Sequence, residues 1–308
     1  MINMQALLEK TSRTFAVTIP LLPEPSRTDM TLAYLLFRIV DTLEDGENLS
    51  ATERRDALED FDALLERPSN RVAVNMAARW LGKPPTLQPE YAELLLHMPR
   101  VLEELNQRGS LVRNLVINHA RRTAQGMMAF LERDGQRLRS LEELRRYCYF
   151  VAGVVGEMIT DLFAARVNGF VVDEELRRSA QAFGEGLQLV NILRDADEDA
   201  HHGRLFLNDE IDRGTVMQLA RRDLIDAQRF VERLSCVNPP AGYVGFSQLP
   251  LRLAWLTLDR VEEAGPGAKV SRQAVLQILQ EVSRAGKQSV GKLNLVTTEE
   301  RVFAGASI

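Results

Sequence analysis

The chain has 308 residues, of which 45% are apolar and 26% are charged, a composition typical of a folded globular protein. Its 38 basic and 43 acidic side chains give a net charge of −5, which argues against nucleic-acid binding through a broad basic face. The two cysteines, Cys148 and Cys236, are too few for a disulfide framework and fit the reducing conditions of the cytoplasm.

The sequence carries no pattern typical of secretion or of a membrane-spanning helix. The N-terminus lacks a basic region followed by an apolar core. The richest apolar stretch, residues 147–167, is interrupted by Glu157, Asp161 and Arg166. We therefore expect a cytoplasmic protein that is soluble or, at most, touches a membrane at its surface.

Apolar residues recur every three or four positions along most of the chain, which is the spacing of an amphipathic helix. In chain order, the pattern predicts helices over residues 29–45, 50–65, 89–106, 110–133, 141–168, 173–199, 215–235, 249–263 and 271–290. Ser50 and Glu53 have the spacing of a capping box, and short Gly/Pro turns separate the helices. No hairpin signal or long linker interrupts this order. We predict an all-α protein, a single-domain helical bundle over residues 1–308 with a central apolar channel.

The helix predicted over residues 29–45 carries polar side chains along one line. Tyr34, Arg38, Asp41 and Asp45 are spaced by four, three and four residues and form one stripe, with Glu44 beside it. The other faces of the helix are apolar, so we expect these acids to face a polar cleft.

A second stripe follows the same spacing on the helix predicted over residues 173–199. Gln188, Asn191, Asp195 and Asp199 are spaced by three, four and four residues, with Glu198 at the edge. Carboxylate oxygens are the ligands that Mg²⁺ prefers, and substrate phosphates usually complete its coordination. Two such clusters favour diphosphate chemistry, with arginines neutralising the remaining phosphate charge. The alternative is that both stripes are structural, since three acids at this spacing arise by chance about once in such a chain.

The motifs of the chain resemble those of the squalene/phytoene synthase family. The matching segments occur in the family's order: residues 12–15 (SRTF), 34–45 (ending in DTLED), 147–156 (YCYFVAGVVG) and 191–199 (NILRDADED). A weaker similarity continues through residues 249–254 and 267–270. Within the family, DTLED followed by YCxxVAGxVG is more similar to squalene synthases than to phytoene synthases. The resemblance implies an all-α fold of the isoprenoid synthase type.

The resemblance also implies an activity and a set of site residues. The implied enzyme is a Mg²⁺-dependent prenyltransferase that joins two farnesyl diphosphates into presqualene diphosphate, which NADPH reduces to squalene. The implied metal ligands are Asp41, Glu44, Asp45, Asn191, Asp195, Glu198 and Asp199. The implied substrate-binding residues are Ser12, Arg13, Phe15, Tyr34, Arg38, Gln188, Asn191, Arg194 and Arg204.

Three further predictions rest on the resemblance. Tyr147 matches the family's tyrosine that transfers a proton or stabilises a cation. The alternative is that Tyr147 is only a half-buried core residue. Lys269 and Arg272 are predicted to contact the phosphates of NADPH, and solvated surface charges are the alternative. No Rossmann fingerprint is present, so an NADPH site would be of another type. Gly153 and Gly156 either line the floor of the apolar channel or allow two helices to pack closely.

Other functions fit the same motifs. A family member can stop at presqualene diphosphate, or make dehydrosqualene or phytoene without a reductant. A terpene cyclase also uses two metal-binding helices, but the segment 147–156 fits condensing enzymes better. A non-catalytic relative that acts as an assembly factor is a third alternative, which the completeness of both acidic stripes disfavours.

Overall fold

The computed structural model describes residues 3–12, 14–131 and 138–287, with side chains to residue 282. In these ranges the secondary structure is helical, without a strand, and one isolated bridge joins Asn208 and Ile211. The predicted all-α class is therefore confirmed. The α-helices are α1 (Met4–Thr11), α2 (Phe15–Thr18), α3 (Ser26–Glu44), α4 (Ala51–Glu66), α5 (Asn70–Gly82), α6 (Pro89–Leu96), α7 (Met98–Asn106), α8 (Ser110–Leu131), α9 (Leu141–Cys148), α10 (Val154–Ala164), α11 (Glu174–His201), α12 (Arg213–Cys236), α13 (Tyr243–Ala264) and α14 (Arg272–Lys287).

The chain groups into two compact units. The first comprises Met1–Phe15 and Thr28–Asp134, and the second comprises Ala16–Arg27 and Gly135–Ile308. The prediction of a single domain with a central channel stays a prediction.

In the first unit, α4 begins as its sequence predicts and packs on α8. The Ser50 side chain accepts a hydrogen bond from the Glu53 backbone, and the Glu53 side chain accepts one from the Ser50 backbone. Arg121 of α8 reaches Asp62 of α4, with Nε 2.8 Å from Oδ1. The capping box and this ion pair fix both the start of α4 and its position on α8.

Two elements of the first unit differ from the prediction. The helix α5 was not predicted, because the exposed Val72 and Val74 obscure the apolar face on which Met76 and Trp80 lie. The helix predicted over residues 89–106 is broken at His97, which caps α6 and precedes Met98 and Pro99. Pro99 has no N–H to donate to a carbonyl group of the preceding turn, and its ring crowds that carbonyl, which accounts for the break one turn of chain before it.

In the second unit, α11 lies against α10 at a distance that only glycine allows. A Cβ atom built on Gly156 would lie 1.9 Å from the carbonyl oxygen of Ala180, and one on Gly184 would lie 1.9 Å from that of Ala152. The backbones of the two segments are thus in direct contact. Gly156 serves close helix packing, one of the two roles predicted for it.

A π-helical segment, Tyr149–Gly153, joins α9 to α10. It follows Tyr147 and Cys148 directly and contains Ala152, whose carbonyl oxygen lies at the close contact with Gly184. Wider turns of this kind occur often at functional sites. Here the segment places the end of α9, with Tyr147, next to this close contact with α11.

Buried acidic groups lie beneath the same end of α9. Arg145 Nη2 donates to Glu185 Oε2 of α11 at 2.9 Å, and its Nη1 lies 3.4 Å from both carboxylate oxygens of Asp223 of α12. Glu185 is 1% exposed and Asp223 is 3% exposed. One half-exposed arginine therefore compensates two buried carboxylates and ties α9 to α11 and α12.

By length and hydropathy, the stretch Leu141–Ala164 is apolar enough to cross a membrane. However, 61% of its most apolar window is buried inside the structure, as in the core helix of a soluble fold. The expected cytoplasmic location stays a prediction.

Candidate functional site

The stripe predicted on α3 forms a connected polar row. The Tyr34 hydroxyl donates to the carbonyl oxygen of Thr11 at 2.5 Å and accepts from Arg38 Nε at 3.2 Å. One turn further along, Arg38 Nη1 lies 3.6 Å from Asp41 Oδ2. Tyr34, Arg38 and Asp41 are thus brought together as the helical spacing predicts.

The acidic end of this stripe is unequally buried. Asp41 is partly buried, Glu44 is buried and Asp45 is exposed just beyond the end of α3. The Asp45 N–H still donates to the Asp41 carbonyl oxygen at 2.8 Å, so the helical spacing continues to Asp45. Burial raises the pKa of the Asp41 carboxyl to about 6; Arg38 opposes this rise and Asp45 adds to it. A cation placed here would remove the cost of ionising Asp41.

The predicted residues before α3 lie at the end of α1. The Ser12 side-chain oxygen accepts a hydrogen bond from the Phe15 backbone at 2.9 Å. The ring of Phe15 packs 5.4 Å from that of Tyr34, measured between centroids. Ser12 and Phe15 are therefore joined to the stripe on α3 through Tyr34, whereas Arg13 lies outside the described residues.

On α11 the second stripe contains a paired arginine. Arg194 holds Asp195 with two parallel hydrogen bonds, Nε to Oδ1 at 2.7 Å and Nη2 to Oδ2 at 2.5 Å. Such bidentate geometry is the one that arginine also uses for phosphate. The other members of the stripe line the same helix at partly buried or exposed positions: Gln188, Asn191, Glu198 and Asp199.

Two histidines lie at the C-terminus of α11. His201 and His202 place Nδ1 2.5 Å and 2.9 Å from the carbonyl oxygens of Asp197 and Glu198. Arg204 follows and donates its backbone N–H to the Asp199 carbonyl oxygen at 2.8 Å. The histidines thus act as caps, and Arg204 stays close to the acidic stripe through the backbone.

The predicted cofactor residues follow α13. The Gly267 N–H donates to the carbonyl oxygen of Arg194 at 2.7 Å, which fixes this loop against α11 beside the second stripe. Lys269 lies two residues further along this loop, and Arg272 begins α14; both are exposed. Their role in NADPH binding stays a prediction.

Tyr147 lies in the last turn of α9 and is 7% exposed. Its ring packs on that of Phe206, with centroids 4.9 Å apart and planes inclined by 36°. The pair is a buried aromatic surface, which can stabilise a cation and keep water from it.

Two aromatic residues that were not predicted from the sequence contact predicted site residues. Phe206 packs on Tyr147, and Tyr91 of α6 lies over the guanidinium of Arg38, with Cζ 5.5 Å from the ring centre. No sequence motif includes Tyr91. Phe206 lies two residues after Arg204, which the resemblance implied as a substrate-binding residue, so its position in the sequence was a signal.

Among the described residues, no group of three or more His, Cys, Asp or Glu side chains is placed to hold a metal ion. Mg²⁺ is usually bound by one or two carboxylates together with substrate phosphates and waters. Asp41 in the first unit and Asp195 in the second each offer hard oxygen donors of the kind that this mode requires, in which the substrate completes the coordination.

The family model for squalene/phytoene synthase matches residues 8–215. The squalene synthase of Schizosaccharomyces pombe is 30% identical over 212 residues, which are 67% of this chain and 43% of that protein. The human squalene synthase is 30% identical over 205 residues, 66% of this chain and 45% of that protein. The chain thus matches less than half the length of these curated relatives.

Solved structures share the fold. The structure of TcSQS with the ligand E5700 aligns with a TM-score of 0.70 at 22% identity, over 97% of this chain and 94% of that one. The squalene synthase HpnC from Alicyclobacillus acidocaldarius aligns with a TM-score of 0.57 at 18% identity, over 85% and 92%. The matched family model spans more than half of the chain and includes both acidic stripes, so the chain belongs to the squalene/phytoene synthase family.

Proposed function

We propose that this protein joins two molecules of farnesyl diphosphate head to head into presqualene diphosphate and reduces that intermediate with NADPH to squalene. The main support for the proposal is that the chain belongs to this family and keeps every acidic residue of both stripes. The squalene synthases among its curated relatives support the same reaction.

The stripes supply the groups that a diphosphate requires. When bound by these carboxylates, Mg²⁺ would neutralise charge on the diphosphate leaving group. Arg38 and Arg194 each lie beside an acidic residue of their own stripe, at Asp41 and Asp195. Arg194, which makes two hydrogen bonds to Asp195, is held in one orientation and can share its carboxylate partner with a phosphate.

Tyr147 and Phe206 supply the groups that a carbocation requires. Loss of an allylic diphosphate leaves a cation that water would quench, so the reaction needs a dry surface that tolerates positive charge. The two rings are buried and packed on each other at a tilt, and the π face of an aromatic ring attracts cations. We assign to the Tyr147 hydroxyl the transfer of a proton in the first half-reaction.

The reductive half-reaction is assigned to the loop after α13. The bond from Gly267 to Arg194 fixes this loop beside the second stripe, and Lys269 stands on it as an exposed cation. We propose that Lys269, with Arg272, contacts a phosphate of NADPH, which would supply the hydride that reduces the cation left, after rearrangement, by loss of the second diphosphate.

The test is incubation of the purified protein with farnesyl diphosphate and MgCl₂, with and without NADPH, and analysis of the products by mass spectrometry. We expect squalene with NADPH and presqualene diphosphate without it. A hydrocarbon product that is the same under both conditions would refute the reduction and indicate a dehydrosqualene synthase. Absence of any condensed product from farnesyl or geranylgeranyl diphosphate would refute the proposed activity.

Two tyrosines of one helical stretch provide a matched comparison. Tyr147→Phe should lower turnover about 100-fold, since it removes a proton-transferring hydroxyl. Tyr149→Phe should leave turnover near that of the wild type, because its hydroxyl lies 3.4 Å from Glu157 and has no assigned role in the reaction. Equal turnover of the two variants would contradict the role of Tyr147.

A further inference from the structure

The guanidinium of Arg38 lies between two tyrosine rings of the first unit. Its Cζ is 5.6 Å from the ring centre of Tyr34 and 5.5 Å from that of Tyr91. Both distances are within the range of cation–π attraction. Tyr34 precedes Arg38 by one turn of α3, whereas Tyr91 comes from α6, a separate helix.

The hydrogen bonds of Arg38 leave its terminal nitrogens, Nη1 and Nη2, available as donors to another ligand. Nε donates to the Tyr34 hydroxyl at 3.2 Å, and Nη1 lies 3.6 Å from Asp41 Oδ2, too far for a hydrogen bond. Within the described part of the chain, neither terminal nitrogen of Arg38 has a closer acceptor. The two rings therefore hold the guanidinium in place, while its two terminal nitrogens keep donors for another ligand.

Helix α6 is anchored independently of this contact. Leu94 and Leu95 are buried at 0% and 1% exposure. Lys10 of α1 also donates to both carboxylate oxygens of Glu93, at 2.8 and 2.7 Å, but this ion pair is exposed to solvent and adds little to the apolar anchor. The Tyr91 ring is thus held over Arg38 by the packing of its own helix.

We infer that Tyr91 is a positioning residue that holds the guanidinium of Arg38 ready to bind a substrate phosphate. The inference rests on the proposed function, in which Arg38 contacts diphosphate. Without the second ring, a long arginine side chain would sample other rotamers, and binding would carry the entropic cost of ordering it. Because the contact is made by the face of the ring, a phenylalanine at position 91 should preserve the effect and a leucine should not.

The experiment compares the wild type with Tyr91→Leu, Tyr91→Phe and Glu93→Gln. Glu93→Gln changes the same helix but keeps the Tyr91 ring. Removal of its exposed ion pair with Lys10 should change the affinity and the melting temperature little. Three measurements are made on each protein: kcat and KM for farnesyl diphosphate, calorimetric affinity for magnesium pyrophosphate, and the melting temperature.

For Tyr91→Leu we expect KM and the pyrophosphate dissociation constant to rise about tenfold, with kcat and the melting temperature little changed. Tyr91→Phe and Glu93→Gln should stay within about twofold of the wild type. A purely structural role would lower the active fraction, and hence kcat, without moving KM or the affinity of the folded protein.

Unchanged KM and affinity in Tyr91→Leu would overturn the inference, as would a loss in Tyr91→Phe equal to that in Tyr91→Leu. A wild type that turns over no prenyl diphosphate would instead refute the proposed function. In that case the pyrophosphate affinities still decide whether Tyr91 prepares Arg38 to bind phosphate.

Discussion

The carboxyl group of Glu185 couples folding of the second unit to pH. It accepts hydrogen bonds from Arg145 at 2.9 Å and from Gln181 at 2.6 Å, and it faces the acids Asp223 and Glu157. Burial raises its pKa from 4.5 to about 7; Gln181 and Arg145 oppose this rise, and the two acids add to it. The folded protein therefore holds this proton at a pH at which the unfolded chain has released it.

The sign and size of the effect follow from that difference. Between pH 4.5 and about 7 the folded state binds more protons than the unfolded state, so stability falls as pH rises. A pKa difference of one corresponds to about 1.4 kcal/mol, so ionised Glu185 costs the folded state about 3 kcal/mol. Glu185→Gln cannot ionise and should lose this pH dependence. The free energy of unfolding of the variant, measured relative to that of the wild type, should rise by about 2 to 3 kcal/mol between pH 5 and pH 8.

The assay is urea denaturation of the wild type and Glu185→Gln at several pH values from 5 to 8. Glu232→Gln is the matched control, because Glu232 accepts from the glutamine four residues earlier, as Glu185 does, but at an exposed position. The control should differ from the wild type by the same free energy at every pH. A pH-independent difference for Glu185→Gln would refute the proposed burial of a neutral carboxyl.

Two substitutions test the packing and the caps. Gly184→Ala should destabilise the protein by about 3 kcal/mol, because the new Cβ would meet the Ala152 carbonyl oxygen; Gly82→Ala, with open space around it, should change the melting temperature little. Ser50→Ala should cost about 1 kcal/mol in chemical denaturation, because it removes the hydrogen bond to the Glu53 backbone. Equal melting temperatures for the two alanine variants, or a neutral Ser50→Ala, would contradict these assignments.

The sequence predicted those features of the fold that depend on neighbouring residues. The helical class and the capping box at Ser50 both depend on positions within one or two turns. The bonded row of Tyr34, Arg38 and Asp41 was predictable for the same reason, since residues three and four apart lie on one helix face.

Features that depend on distant residues were not predictable in this way. Tyr91 contacts Arg38, and Phe206 contacts Tyr147, across long separations in sequence. The π-helical segment is a second case, because it lies at a backbone contact with Gly184 that no local pattern shows. The unpredicted helix α5 is a third, since its exposed valines resemble a buried face until its packing is known.

The most direct test of the proposed activity is the turnover of farnesyl diphosphate by Asp41→Asn and Asp195→Asn in the presence of Mg²⁺. Asp197→Asn, an exposed aspartate on the same helix as Asp195, is the control. We expect each of the first two variants to lose at least about 100-fold in turnover while its melting temperature stays near that of the wild type. The control should retain full turnover. Wild-type turnover in a folded Asp41→Asn or Asp195→Asn protein would contradict the role of that stripe in binding magnesium diphosphate.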